Sequence, residues 1–497
     1  MLGKEAEALD MVRRCLDAGQ ADDAFCLLRR LKEGASEELQ EKDMWQLHEL
    51  FGACFHDLGD AEGAAQAYFQ AAQCDRFLRS QRQHFSSYLF ALHYLSHISD
   101  EEMAQQNLAY GSLYRDVEPL PPRGRRREGG KIRVGYLSPS FSEQAAARFY
   151  EVMLTEYDRE RFDVFCYGME PSSDVFACRM KSQADGWCEL SGMGVEEAAR
   201  RIRRDDLDIL FDLGGHSEGG MSLMVMAYRP APVQLSGIGW IDTTACPAMD
   251  YFLTDGILVP KGYHEEYFSE KLLRLSYAFC WRPTKEMQKV MRRPRKKGAP
   301  VRFGCFNNFM KITEEMLHAW QGILGQLPGA VLVLQDTSQH PARQREMRRK
   351  LSEAGLGGQV EVRPASPEYP EQLAGMDLLL DTYPYTGGGM TAAALYMGTP
   401  VLTMAGTRHG SRIGASLLRS VGLPGFVARD EAEYIAKAVA VARDEDGLAG
   451  LQMGLREQME DSPLMDGKGY MRELERAYQG ILESSGCFRA HLQAGKS

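Results

Sequence analysis

The chain has 497 residues, 44% hydrophobic and 26% charged, with a formal net charge of −11. That length predicts about three ordinary domains, with cores that need neither disulfides nor a structural metal. The acidic balance excludes the usual nucleic-acid binder, which carries a basic face. The 11 cysteines form no CxxC pair, so zinc ribbons and thioredoxin-like chemistry are unsupported and reduced cytoplasmic thiols are expected. The charged, amphipathic N-terminus is no signal peptide, and no run of about 18 apolar residues predicts a membrane span.

Residues 1–118 read as helix: apolar residues recur at three- and four-residue spacing, and Gly and Pro are sparse. Gly52, Phe55, Ala64, Tyr68 and Ala71 fall at the small and aromatic positions of a tetratricopeptide repeat. A weaker copy places Ala24, Leu28 and Leu31 in the second helix of an earlier hairpin. Two repeats are too few to bury their own faces, so this block should pack against a later part of the chain. Residues 119–130 predict a linker, because Pro121, Pro122, Gly129 and Gly130 disfavour regular structure and the arginines between them repel.

The texture then changes to short runs rich in β-branched residues, IRVGYLS (132–138), FDVFCYG (162–168), DILFDLGG (208–215) and APVQLSGIGW (231–240), with helical stretches between them. A basic connector at 291–300 interrupts the pattern, which resumes with VRFGCFNN (301–308), AVLVLQD (330–336), QVEVRP (359–364), MDLLLDT (376–382) and PVLTMAG (400–406). Alternating strands and helices predict two doubly wound parallel sheets, over 131–290 and 301–497, the second closed by a C-terminal amphipathic helix. Ligands of such sheets bind beyond the strand C-termini.

The most informative stretch is LDTYPYTGGGMTAAALYMGTP (380–400). A strand ends at Asp381, and Gly387, Gly388 and Gly389 lead into a helix beginning near Met390 and Thr391. Glycines let backbone amides approach an anion, and a helix N-terminus adds about half a positive charge. This is a candidate diphosphate site, distinct from GxGxxG and from a P-loop. His216, after two glycines past a strand end, is expected to face open space, where imidazole takes or orients protons. Its alternative is a loop histidine bonded to backbone. Trp240, Asp242 and Thr243 follow another strand end and are expected to line the acceptor side of a cleft between the strand C-termini of the two sheets.

The run 376–418 resembles the catalytic C-terminal half of the O-GlcNAc transferase/SPINDLY family of protein glycosyltransferases. IRVGYLSPSF (132–141), DILFDLGGHSEGG (208–220), RPAPVQLSGIGW (229–240), AMDYFLTD (248–255) and FGCFNNFMKIT (303–313) resemble its other segments, in the family's order. The resemblance implies an α/β GT-B fold, two Rossmann-like domains preceded by an all-α tetratricopeptide-repeat-like domain that presents an acceptor protein. It implies metal-independent transfer of a sugar, N-acetylglucosamine from UDP in the first place, to Ser or Thr of a partner protein. GDP-fucose as donor, asparagine glucosylation and a non-catalytic scaffold are the alternatives. No nucleic acid and no membrane enter this reading. Lys311 matches the lysine that contacts the donor diphosphate, where a fixed ammonium stabilises the leaving group. Asn308, the amides of Gly388, Gly389 and Met390, and His409, Ser411 and Arg412 are placed at the nucleotide sugar by the same resemblance. Three positions depart from the family pattern: Gln144 replaces a proposed catalytic histidine, Ala393 an acidic residue that binds the ribose, and Tyr369 a histidine framing the base.

Overall fold

The computed structural model describes residues 3–35, 43–122, 130–292 and 294–484. Most of the expected linker (123–129) and Arg293 of the basic connector lie outside the described residues. Two compact units form: one joins Met1–Gln106 to Pro283–Glu460, the other Asn107–Arg282 to Asp461–Ser497.

In the first unit, helices α1 (Gly3–Asp17), α2 (Ala21–Glu33), α3 (Met44–Leu58), α4 (Ala61–Cys74) and α5 (Leu78–Leu92) are followed by α6 (Asp100–Gly111), which runs on into the second unit. The sequence dictates the hairpin between α3 and α4. Gly59 ends α3 in the left-handed region at φ 82°, where glycine adds no Cβ strain. Asp60 then caps α4 by accepting the Gly63 N–H at 2.9 Å. The helices approach so closely that a Cβ on Gly52 would lie 2.5 Å from the Tyr68 ring. That is the small-against-aromatic packing of a tetratricopeptide-like hairpin.

The second half of this unit is a six-stranded parallel sheet. Its strands lie in the order β10-β9-β8-β11-β12-β13, with β8 Arg302–Cys305, β9 Val331–Gln335, β10 Val360–Arg363, β11 Leu378–Leu380, β12 Val401–Met404 and β13 Val427–Ala428. The helical block docks on this domain, as its short length requires. The Arg343 guanidinium, 2% exposed, donates to the carbonyl of His56 at the end of α3 at 2.8 Å and to Asn308 Oδ1 at 3.0 Å. Arg408 pairs with Asp100 of α6 at 3.4 Å. Two arginines of the basic connector dock on this domain: Arg295, its side chain buried, pairs with Asp377 at 3.1 Å, and Arg292 donates to Thr399 Oγ1 at 2.7 Å, while Lys296 and Lys297 are exposed.

The other unit holds a seven-stranded sheet in the order β3-β2-β1-β4-β5-β6-β7. The strands are β1 Ile132–Ser140, β2 Phe162–Glu170, β3 Gly186–Glu189, β4 Ile209–Asp212, β5 Val233–Ser236, β6 Tyr251–Asp255 and β7 Lys271–Leu275. The closing helix, Gly467–Ser484, was expected with the second sheet and packs instead in the core of this first one. Tyr470, Leu474 and Tyr478 join Tyr136 and Phe162 there, and the hydroxyls of Tyr136 and Tyr478 meet at 3.4 Å. An amphipathic stripe says that a face must be buried, not against which sheet. No helix among the described residues is long and apolar enough to cross a membrane.

Candidate functional site

Both sheets treat the strand beside their first strand alike. Before β4, Asp208 exchanges two hydrogen bonds with Arg133, one backbone N–H to carbonyl at 2.8 Å and one N–H of Arg133 to the carboxylate at 2.9 Å. Before β11, Asp377 does the same with Arg302, at 2.7 Å and 2.8 Å. A second aspartate follows at the strand's end. Asp212 accepts the N–H groups of Gly214 and Gly215 at 3.1 and 2.8 Å. Asp381 accepts those of Thr382 and Gly387 at 2.9 and 2.7 Å. In each case a buried carboxylate, compensated by amide donors, folds a glycine turn back onto the strand.

The turn after β11 is the glycine-rich loop read from the sequence. Asp381 also accepts from Asn307 Nδ2 at 3.2 Å and from Thr403 Oγ1 at 2.8 Å. Burial pushes its carboxyl above the usual range, against the pull of these hydrogen bonds and of Lys311. A Cβ on Gly387 would lie 2.7 Å from Thr391 Oγ1 and 2.9 Å from Asp381 Oδ1, so no side chain fits there. The helix Gly389–Tyr396 follows with no side-chain cap. Gly388, Gly389 and Met390 are partly exposed, while Thr391 is buried. The first-turn N–H groups at the solvent-reached end are therefore able to receive an anion.

Lys311 lies on the same side of the sheet. It ends the short 3₁₀ turn Phe309–Lys311 after β8. Asn308 shapes that turn by accepting the Met310 N–H at 3.0 Å. The Lys311 ammonium donates to the carbonyl of Thr386, the residue before Gly387, at 3.1 Å. It also sits 3.5 Å from the centre of the Tyr385 ring. Desolvation brings Lys311 down to about 8, opposed by the Asp381 carboxylate. Thr386 ties in the RHGSR stretch, since its N–H and Oγ1 donate to the Gly410 carbonyl at 3.3 and 3.1 Å. His409 and Ser411 are buried, and Arg412 donates to the Gly406 carbonyl at 2.8 Å. The fold thus brings Lys311, Asn308, the glycine turn and the 409–412 segment together. Tyr369 begins the helix Tyr369–Ala374. Ala393 is 2% exposed between the equally buried Ala392 and Ala394.

Four first-sheet residues depart from expectation. His216 is buried, 1% exposed, because its ring is wedged between Tyr110 and Trp240 at 4.5 and 4.7 Å. Its Nε2 donates to the Thr244 carbonyl at 3.0 Å, the backbone-bonded alternative. Desolvation takes it down to about 3, so it is neutral at pH 7. Trp240, Asp242 and Thr243 are buried too, as struts of one loop. Trp240 Nε1 donates to the Thr243 carbonyl at 3.0 Å, and Asn107 reaches Asp242 at 3.4 Å. Thr243 Oγ1 donates to Glu270 at 2.6 Å. Gln144 is exposed and donates to the Ser140 carbonyl at 3.2 Å.

Sequence reasoning passed over Asp381, Tyr385 and Glu270. Asp381 had a signal, a strand-end acid six residues before a glycine run. Tyr385 and Glu270 had none.

The family model for glycosyl transferase family 41 matches residues 118–298 and 296–474. A tomato (Solanum lycopersicum) protein named as a probable UDP-N-acetylglucosamine–peptide N-acetylglucosaminyltransferase SPINDLY is 32% identical over 409 residues, 79% of this chain and 43% of that protein. Its rice (Oryza sativa subsp. japonica) counterpart is 33% identical over 434 residues, 84% of this chain and 46% of that protein. The chain therefore spans less than half the length of these curated relatives. Among solved structures, a mutant of the Thermobaculum terrenum O-GlcNAc transferase superposes with a TM-score of 0.76 at 27% identity. That alignment covers 98% of this chain and 99% of the other. The helical front, the two Rossmann-like sheets and these matches together make the chain a member of glycosyltransferase family 41.

Proposed function

We propose that the protein transfers a sugar from a nucleoside diphosphate sugar, UDP-N-acetylglucosamine, to Ser or Thr hydroxyls of a partner protein. The observation that carries this reading is the Lys311 ammonium, 3.1 Å from the Thr386 carbonyl, beside an uncapped glycine-led helix N-terminus. As the glycosidic bond breaks, negative charge grows on the departing diphosphate. A fixed ammonium and aligned amides stabilise that charge more than the charge of the intact donor. Asn308 and the 409–412 segment frame the same site. The names of the relatives support the donor and the protein acceptor.

The test is calorimetric titration with UDP and GDP, then turnover of UDP-N-acetylglucosamine with co-expressed candidate acceptors. Lys311→Ala should cut transfer by at least about 100-fold while the protein stays folded, the scale of losing one preorganised donor. Unchanged turnover would remove Lys311 from the reaction. A second reading, a nucleotide-binding scaffold without turnover, draws on His216 and Gln144. His216, held near 3, and an amide side chain are both poor general bases at neutral pH. Nucleotide binding with no transfer to any acceptor would favour it. Tighter binding of GDP than UDP would move the donor to the GDP-fucose class.

A further inference from the structure

The aromatic ring beneath Lys311 is not free to choose its plane. Tyr385 lies in the loop between β11 and the glycine turn, and its carbonyl accepts the Thr382 hydroxyl at 2.8 Å. Its ring is walled by three side chains of the helical region. Tyr94 lies 5.6 Å away, centre to centre, tilted by 35°. Phe90 and His93 each lie 6.4 Å away, near edge-on. Tyr94 and His93 are buried. Against the remaining face sits the Lys311 ammonium, 3.5 Å from the ring centre. Desolvation raises the phenol to about 12, so the ring carries no charge that would compete with the aromatic face.

A lysine is a point charge on a flexible four-carbon stem, and fixing it costs rotamer entropy. Its value at a diphosphate depends on where it is held before the charge develops. The carbonyl of Thr386 supplies one anchor. An aromatic face supplies a second and, unlike a carboxylate, leaves the positive charge available to an anion. We propose that Tyr385 is a positioning residue for Lys311, and that the helical region fixes the Tyr385 ring through Phe90, His93 and Tyr94. The repeat-like helices would then be part of the nucleotide site itself, in addition to presenting the acceptor. This inference rests on Lys311 serving the donor diphosphate, and its test separates the two.

The experiment uses the full chain labelled with lysine carrying ¹³C at Cε. A methylene held over an aromatic face is shifted upfield by the ring current, and the Lys311 signal is assigned by its loss in Lys311→Ala. Tyr385→Phe should keep the shifted signal, Tyr385→Leu should return it to the ordinary lysine position, and Tyr94→Leu should move it part of the way. Phe90→Leu takes the place of Tyr94→Leu if the latter does not fold. UDP affinity should fall about fivefold in Tyr385→Leu and stay within about twofold in Tyr385→Phe, as expected for loss of one partly desolvated cation–π contact. An ordinary Lys311 signal in the unmodified protein overturns the proposal. So does a Tyr385→Leu protein that binds UDP normally while Lys311→Ala does not, and so does a signal unmoved by both Tyr94→Leu and Phe90→Leu. If Lys311→Ala itself leaves affinities for UDP and GDP unchanged, the donor reading fails, and the ring-current shifts alone decide whether Tyr385 positions the lysine.

Discussion

The carboxylate of Asp381 accepts the backbone N–H of Gly387 at 2.7 Å, and this bond folds the glycine turn back against the strand it leaves. Four donors converge on that carboxylate, from Thr382, Gly387, Asn307 and Thr403. Asp381→Ala would orphan them in a buried site, at about 1–3 kcal/mol for each donor that finds no other partner. The expected result is a melting temperature lowered by several degrees, with nucleotide affinity reduced in the protein that remains folded. Asp381→Asn keeps an acceptor oxygen for Gly387 and should cost less than half as much. Equal melting temperatures for Asp381→Ala and the unmodified chain would mean that the turn holds its shape without the carboxylate.

Lys311 makes a pH prediction whose sign is fixed. Its ammonium loses the proton near pH 8 in the folded, unliganded protein, against 10.5 for an unperturbed lysine. The charged form is the one that stabilises a departing diphosphate. The kcat/KM for donor should therefore be level below about pH 7 and fall as pH rises through about 8, because that ratio reports the free enzyme. The limb in kcat should lie higher, since a bound diphosphate holds the proton on. Between about 8 and 10.5 the unfolded chain binds more protons at this site than the folded one, so this ionisation makes the fold more stable as pH rises. A fall in activity there, with no loss of native circular dichroism, belongs to the site and not to unfolding. Lys311→Arg stays charged throughout and should lack the limb, whatever its overall rate.

His216 gives the opposite kind of prediction. With its folded value near 3, below the 6.5 of a free imidazole, it contributes stability that is complete above about pH 6.5 and is lost as pH falls toward 3. Its imidazole ¹⁵N and ¹³C shifts should stay flat from pH 5 to 8, in the tautomer with the proton on Nε2. A midpoint between 6 and 7 would restore it as a general-base candidate and would mean that its pocket between Tyr110 and Trp240 opens to water.

Much of the second sheet could be read from the chain. VRFGC, VLVLQ, LLLD and VLTM are apolar runs of strand length bounded by turn residues, and their order requires a parallel sheet. The three glycines after Asp381 could also be read as a turn, and at Gly387 only glycine tolerates the contacts. What escaped was burial at loop positions. The same His-after-two-glycines suits an exposed base or a packed strut, and residues distant in sequence, Tyr110 and Trp240, decide which. Trp240, Asp242 and Thr243 misled in the same way: Asn107, which reaches Asp242, lies 135 residues before it, and Glu270, which holds Thr243, lies 27 residues beyond it. The closing helix carried a clear apolar stripe and no mark of which sheet it would cover.

Ala393 decides whether the glycine-led helix can offer a contact to the donor ribose. The family resemblance expects an acid there, one turn into the helix Gly389–Tyr396. In the fold, Ala392, Ala393 and Ala394 are all buried, with Ala393 2% exposed. Their small side chains suit the helix Glu445–Glu460, which packs against this one. Introducing Ala393→Glu adds a methylene and a carboxylate in a filled space, and overpacking of this kind costs about 1–3 kcal/mol before the charge is desolvated. The expected outcome is a lower melting temperature and weaker UDP binding. Ala393→Ser, which adds a single oxygen, should be close to neutral in both. If Ala393→Glu instead binds UDP more tightly and melts where the unmodified protein does, the helix must present position 393 to the ligand, and the donor ribose would lie one turn further along this helix than the buried alanines allow.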